Sequence, residues 1–338
     1  MSSPARGMTC RSVTGIGEVR DGDDLAALVL ESSDLCDGDV VVVTSKVVSK
    51  AEGRVVRGDR ASAVAAETDR VVAARGDTAI VRTRHGLVMA AAGVDASNTE
   101  PGTVVLLPVD PDASARRLRE RIAAAAGTNV GVVITDTSGR AWRNGQTDIA
   151  IGAAGLPVMV DYDGRTDQYG NLLSVTAPAV ADEIAGAAEL VAGKLDRSPV
   201  TVVRGLAGLV LEAGRHGPGA AALVRESSQD MFGYGAREAV LLAVHPEPGG
   251  LPGFGSPAAA ADLAAALLGL FADARVEVAA DHVDVRIGAA PDAAAQRSLG
   301  HVEARLVTVA HAMGWRGGPV DTPDHDPGGC LRFLPGTP

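Results

Sequence analysis

Lysine is almost missing from this chain. Of its 31 basic residues only Lys46, Lys50 and Lys194 are lysine. Where arginine is the default cation, a retained lysine points to a need for a compact, rotatable ammonium rather than a planar guanidinium. Aromatic residues are scarce too, at four Phe, two Trp and three Tyr, so the core must be built from Val, Leu, Ala and Ile. The three cysteines, Cys10, Cys36 and Cys330, lie far apart without CxxC or Cys/His spacing, which gives no basis for a zinc site or a disulfide framework. Positive charge is outweighed as well. A formal net charge of −11 disfavours nucleic acid or an anionic membrane as the main partner. No apolar run approaches the ~20 residues of a membrane span. The first ten residues, MSSPARGMTC, lack the apolar region of a secretory signal. The chain is expected to be cytoplasmic.

What is present reads as a globular protein, 46% apolar and 22% charged over 338 residues, enough for two domains or one large one. Residues 1–11 look like a flexible leader. A turn-rich acidic stretch with Asp23 or Asp24 as a plausible cap leads into a helix carrying Leu25, Leu28 and Leu30. The run 39–44 (DVVVVT) is continuous and β-branched, as expected of a strand buried on both faces. Further strands are expected at 80–84, 86–91, 103–109 and 130–135, the last ending on Asp136. Asp112 or Ser114 could cap a helix over 115–126. The stretch 138–148 (SGRAWRNGQTD) and the stretch 161–171 (DYDGRTDQYGN) are dense in turn formers and read as loops. Residues 172–176 return to strand character, 180–191 form an amphipathic helix, and 200–203 and 240–244 are the last strands of this block. Pro and Gly then crowd residues 245–253, a linker. Beyond it lie a helix near 257–273, two short strands around 280–282, a helix near 292–313 and a polar tail.

Two constellations carry chemistry. In TSKVVSK, Lys46 and Lys50 share one face and Ser45 and Ser49 another, whether the segment continues as a strand or turns into a helix. Two ammoniums and two hydroxyls beyond a buried strand suit polyphosphate oxygens, although a solvated strand end would look the same. The segment is not a P-loop, and Gly15-Ile16-Gly17 is not a dinucleotide fingerprint. The second constellation is acidic. Asp95 in AAAGVDASN, and Asp136 with Thr137 in VVITDTSGR, follow apolar runs and offer the hard oxygens that Mg or Mn prefers; capping of the next turn is the simpler use. Arg140, Arg143 and Asn144, with Gln146 and Asp148, suit an anionic or amide-bearing ligand, or tie down a long loop. The seven histidines lie outside these motifs, which leaves His-based nucleophilic chemistry unsupported. Phosphoryl transfer by positioning and charge fits this set, without choosing between a kinase, a phosphohydrolase and a ligase.

Together the motifs resemble one family, the coenzyme F420-0:L-glutamate ligases, or F420 γ-glutamyl ligases. The matching segments are DGDVVVVTSKVVSKAEGR, GLVMAAAGVDASN, LLPVDPDAS, VVITDTSGRAWRNGQTDIAIG, DGRTDQYGN, AVADEIAGAAELVAGK and PVTVVRG, in family order across residues 14–244. The resemblance implies a mixed α/β (α+β) fold, two-lobed, and a homodimer. It implies GTP-dependent activation of the F420-0 carboxylate as an acyl phosphate and attack by the amine of L-glutamate, with further γ-linked glutamates added afterwards. Lys50 and Asp136 are the implied catalytic residues. Nucleotide contacts fall on Ile16, Gly17, Glu18, Val19, Ser45, Lys50, Asn98, Gly193 and Lys194. Metal ligands fall on Asp95, Asp136 and Thr137, for two divalent Mg or Mn ions and an accompanying monovalent cation. Arg140, Arg143 and Asn144 are the candidate substrate contacts. No acidic or amide side chain stands at 193–195, where some relatives offer one to metal.

On this reading the ligase domain is 12–244, the linker 245–256, a small C-terminal α/β module 257–320 and a polar tail 321–338. Relatives with a flavin-dependent C-terminal domain carry a much larger extension, so no FMN binding is expected here. Two other readings stand beside the ligase: another metal-dependent phosphoryl-transfer enzyme, and a non-catalytic nucleotide- or cofactor-binding protein.

Overall fold

The computed structural model describes residues 7–97, 99–194, 198–246, 254–271, 273–288, 292–320 and 329–336. These divide into two compact units, one drawn from Met1–Arg70 and Thr78–Val224, the other from Val71–Asp77 and Arg225–Pro338. The expected linker core at 247–253 and the candidate contact Asn98 lie outside the described residues.

The first unit opens with β1 (Thr9–Val13), α1 (Leu25–Ser32), β2 (Val40–Thr44), α2 (Ser45–Ala51), β3 (Val55–Arg57) and α3 (Arg60–Glu67). β4 (Thr68–Arg75) follows, with only its residues up to Arg70 in this unit, then β5 (Thr78–Thr83), β6 (Val88–Ala90), β7 (Thr103–Val105) and α4 (Pro111–Ala126). A long hairpin of β8 (Gly131–Arg140) and β9 (Arg143–Ala154), α5 (Val180–Ala192) and β10 (Val200–Arg204) complete it. The central sheet has the order β1-β10-β2-β8-β9. Only β2 and β8 run parallel; the other neighbours are antiparallel. The fold is mixed α+β.

The four valines of β2 explain the core. Val41 and Val43 join Val132, Ile134, Leu118 and Ile122 under α1 and α4. Val40 and Val42 face the opposite way, against Ala181, Ile184 and Ala188 of α5. A strand covered on both faces has no need to alternate. α4 lies close enough on β9 that a Cβ on Gly152 would stand 2.4 Å from the Pro111 carbonyl oxygen, so this position admits only glycine.

Several local expectations are corrected. Residues 9–11, assigned to a loose leader, belong to β1, which is paired along its length with β10. α4 starts at Pro111 with Asp110 as its cap, accepting from Ala113 N at 2.8 Å. Pro at the first helical position needs no N–H partner, so the helix begins four residues before 115. The polar stretch after Ile134 is no loop, because β8 and β9 stay paired from Val132↔Ala154 to Arg140↔Arg143; only residues 139–146 at its tip are exposed, while Thr135, Ser138 and Asp148 are buried. Residues 172–176 form no strand and make only a single bridge, Thr166↔Leu172.

The second unit holds α6 (Ala236–Val244), α7 (Ala260–Leu270), β11 (Arg275–Val278), β12 (Val283–Ile287), α8 (Ala293–Ala312), β13 (Trp315–Val320) and β14 (Gly329–Pro335). Its antiparallel sheet has the order β11-β12-β14-β13, over a core of Leu263, Leu267, Val285, Leu306, Leu331 and Phe333. Residues 240–244, expected as a strand, lie in α6. Ala, Glu and Leu outweigh the valines in AREAVLLAV, and the helix packs on α8, where His311 Nδ1 meets the Ala243 carbonyl at 3.0 Å. Residues 329–335, expected as tail, are an inner strand of the sheet with Leu331 and Phe333 buried.

Candidate active site

At the carboxyl ends of the parallel pair β2 and β8, the chain leaves a cleft of about 900 Å³, within the usual size of a small-molecule site. Open α/β sheets place their sites here because the connections diverge and leave the strand ends uncovered. Ile16, Gly17, Glu18 and Val19 line one wall, Ser45, Lys46 and Lys50 the next, Asp95, Asp136 and Thr137 the floor, and Gly193 and Lys194 the far side. All three lysines of the chain line it, and among the described residues no arginine does.

The lysine segment becomes a helix directly after the strand, with Thr44 the last extended residue. Lys46 and Lys50 therefore stand one turn apart on one face. Lys46 Nζ reaches Asp95 Oδ2 at 2.5 Å and donates to Ser97 Oγ at 2.8 Å. Lys50 pairs with Glu18, and its own side chain is only 11% exposed. Ser49 is fully buried, and its hydroxyl finds no hydrogen-bond partner among the described residues.

The carboxylates differ in their support. Burial works against ionised Asp95, but Lys46 and Ser97 outweigh it and hold its pKa below the ordinary value. Asp136 accepts from Ser45 Oγ at 2.9 Å. Burial pushes its pKa up to about 6, with the charges of Asp148 and Asp95 adding to the effect. On β9, Asp148 accepts from Thr135 Oγ1 at 3.0 Å and from Thr137 Oγ1 at 2.8 Å. Lys194 Nζ donates to Thr137 Oγ1 at 2.6 Å and lies 3.1 Å from Glu189 Oε1.

These residues fit a hard divalent cation. Asp136 is a carboxylate whose charge is disfavoured by burial and by the neighbouring charges of Asp148 and Asp95, and it stands beside the Thr137 oxygen. Among the described residues no group of three or more His, Cys, Asp or Glu forms a complete cage. Mg and Mn sites commonly take a few protein oxygens and complete their shell with water and phosphate.

Arg140, Arg143 and Asn144 sit elsewhere. They occupy the exposed hairpin tip, where Arg140 Nη2 donates to the Asn144 carbonyl at 2.7 Å, and none lines the cleft. Ser49, Gln146, Asp148 and Glu189 do line it. The TSK motif already contained Ser49. Gln146 and Asp148 stood in the sequence with Arg140, Arg143 and Asn144 as one candidate set, of which only these two line the cleft.

This α+β fold thus carries, beyond a parallel strand pair, a cleft lined by lysines and carboxylates, and its sequence places it among ligases. The chain belongs to the F420-0:gamma-glutamyl ligase family, whose model matches residues 15–205. Every residue lining the cleft falls inside that span. The chain is 42% identical over 236 residues to the coenzyme F420:L-glutamate ligase of Methanopyrus kandleri, covering 64% of this chain and 93% of that protein. It is 44% identical over 214 residues to the protein of that name from Archaeoglobus fulgidus, with 57% and 86% covered. The corresponding Halobacterium salinarum protein is 44% identical over 219 residues, with 57% and 85% covered.

Proposed function

We propose that this chain joins L-glutamate to F420-0, the reaction named in its relatives, with GTP as co-substrate and an acyl phosphate as intermediate. The observation that carries the reading is the gathering of every lysine of the chain into one cleft, beside Asp95, Asp136 and Thr137. A mobile polyphosphate whose terminal group must leave is served by point charges that can follow it.

The chemistry is two displacements. A carboxylate oxygen of F420-0 attacks the γ-phosphorus of GTP, the bond to the β-phosphate oxygen breaks, and GDP leaves. The neutral amine of glutamate then attacks the acyl carbon, phosphate leaves with the C–O electron pair, and the nitrogen loses a proton to give the amide. Lys46 and Lys50, on adjacent turns of one helix face, hold phosphate oxygens, and Ser45 orients Asp136 from the side. Asp95, Asp136 and Thr137 would hold the divalent ions, Mg or Mn, which when bound neutralise charge on the phosphates. Among the described residues no histidine or cysteine lines the cleft, consistent with direct transfer rather than a covalent enzyme intermediate on those residues. A homodimer is the proposed assembly.

Mass spectrometry tests the reading directly. F420-0 incubated with the protein, L-glutamate, GTP and Mn²⁺ should gain the mass of one glutamyl residue, or of several if elongation follows, and a parallel ATP arm reads the nucleotide preference. F420-0 recovered unchanged in every arm would refute the assignment.

A further inference from the structure

Asp148 plays no part in the steps above, yet it is the most enclosed carboxylate of the cleft, with a side chain 7% exposed. Its partners are unusual for this chain. Buried Asp39 has a two-pronged ion pair with Arg204 at 2.8 and 2.7 Å, and buried Asp284 has the same with Arg332 at 2.8 and 2.7 Å. Asp148 has two threonine hydroxyls, and an ammonium no nearer than 3.9 Å. Neutral hydroxyls alone offset the desolvation of a carboxylate poorly.

The hydroxyls explain what the charge does. A threonine hydroxyl has one proton and two lone pairs. With its proton given to Asp148 Oδ1, the Thr137 oxygen keeps only lone pairs, one of which receives the Lys194 proton. What Thr137 can offer a ligand is therefore an acceptor, suited to a cation. With the proton free, the same hydroxyl would be a donor suited to a phosphate oxygen.

The strand register serves this contact. β9 carries one extra residue against β8, the pairing shifting between Ile134↔Gly152 and Thr135↔Ala150. Downstream of that bulge Asp148 stands opposite Thr137. Were Ile151 paired in regular register instead of bulged, Ile149 would stand opposite Thr137 and offer its hydroxyl no acceptor.

The geometry points to Asp148 as a positioning residue that fixes the polarity of the Thr137 hydroxyl, making it an obligate acceptor for the divalent ion. The inference rests on the reading of Thr137 as a ligand of that ion. It is tested by Mn²⁺ titration of the full chain without nucleotide, following the free-ion signal by electron paramagnetic resonance, with a thermal melt of each variant. Asp148→Glu keeps the charge but displaces the carboxylate by one methylene, and Asp148→Asn keeps the shape but replaces an acceptor by a donor. Each should weaken Mn²⁺ affinity by about 10–100-fold, the usual effect of losing an outer partner of a metal ligand. In a Thr137→Val background neither should weaken it further, because the route through the hydroxyl is already gone.

Wild-type affinity in a folded Asp148→Glu or Asp148→Asn protein overturns the proposal, as does full additivity with Thr137→Val. Should neither Asp148 variant fold, Thr135→Val removes the second anchor of Asp148 without changing charge. A severalfold loss of affinity there supports the proposal, and none overturns it. The metal reading itself fails, and the proposal with it, if the wild-type protein leaves the Mn²⁺ signal undiminished or if Asp136→Asn binds as tightly as wild type.

Discussion

A carboxylate whose pKa is pushed up to about 6 by burial and by two neighbouring aspartates is a burden on the metal-free fold. Asp136 is kept at that expense, which is the signature of a functional residue. Asp136→Asn should raise the melting temperature of the metal-free protein and reduce ligation by at least about 10²-fold, as loss of a preorganised charge does. A thermal melt beside the mass-spectrometric assay checks both signs, and a variant that is active or markedly less stable contradicts the account. Lys50 gives a complementary case, since its ammonium is nearly enclosed beside Glu18. Lys50→Arg preserves charge but forces a wider planar group into the same space. About a tenfold fall in kcat/KM for GTP is expected, equivalent to ~1.4 kcal/mol. Steady-state kinetics at varied GTP reads it, and unchanged constants would remove the argument from lysine scarcity.

Among the secondary-structure elements, the contact between α4 and β9 fixes one wall of the site. Gly152→Ala places a methyl carbon 2.4 Å from the Pro111 carbonyl oxygen. Backbone atoms cannot give way as a side chain can, so a loss of about 1–3 kcal/mol is expected in denaturant melts. Strand β2 is tied to β10 by another device, the pair of Asp39 and Arg204. Burial opposes the Asp39 charge, but the guanidinium and the Cys36 N–H outweigh it and hold its pKa below the ordinary value. A depressed carboxylate contributes stability that is complete above the unfolded pKa, about 3.9, and is lost as pH falls through the folded value. Asp39→Asn should therefore destabilise the protein at neutral pH and flatten this part of the acid melt below about pH 4.

Legibility in the sequence varied with the same physics. β2, β5, α5, β11 and α8 announce themselves by apolar period or by capping, as Asp292 does by accepting from Ala294 N at 2.9 Å. The β8–β9 hairpin past Ile134 does not. Both of its faces meet solvent near Trp142, so the alternation that marks a half-buried strand is absent. β14 was hidden because its seven residues follow a Pro- and Gly-rich stretch and pair on one side with β12, which precedes α8 in the chain. The same distinction separates the site residues. Lys46, Lys50, Asp95, Asp136 and Thr137 stand in compact motifs beside apolar runs. Asp148 acquires its place from a one-residue bulge, which no local pattern encodes.

For the molecule as a whole, the two units have separate cores. The cleft is lined from the first alone, whereas Phe333 is fully enclosed among residues of the second. Phe333→Ala should cost about 3–5 kcal/mol in the second unit. Mn²⁺ binding in the cleft is expected to persist at temperatures where the second unit has melted, and calorimetry with and without the ion distinguishes the two transitions. Loss of ion binding together with the second unit would show that the cleft depends on it.

The scarcity of lysine has a practical corollary in covalent chemistry. Side-chain amines exist at three places in 338 residues, all in the cleft. Lys194 is 63% exposed, Lys46 23% and Lys50 11%. Apart from the α-amine, every amine open to acylation in the folded protein therefore lines the cleft. A succinimidyl ester offered with and without nucleotide, its lysine adducts mapped by peptide mass, becomes a footprint of that cleft.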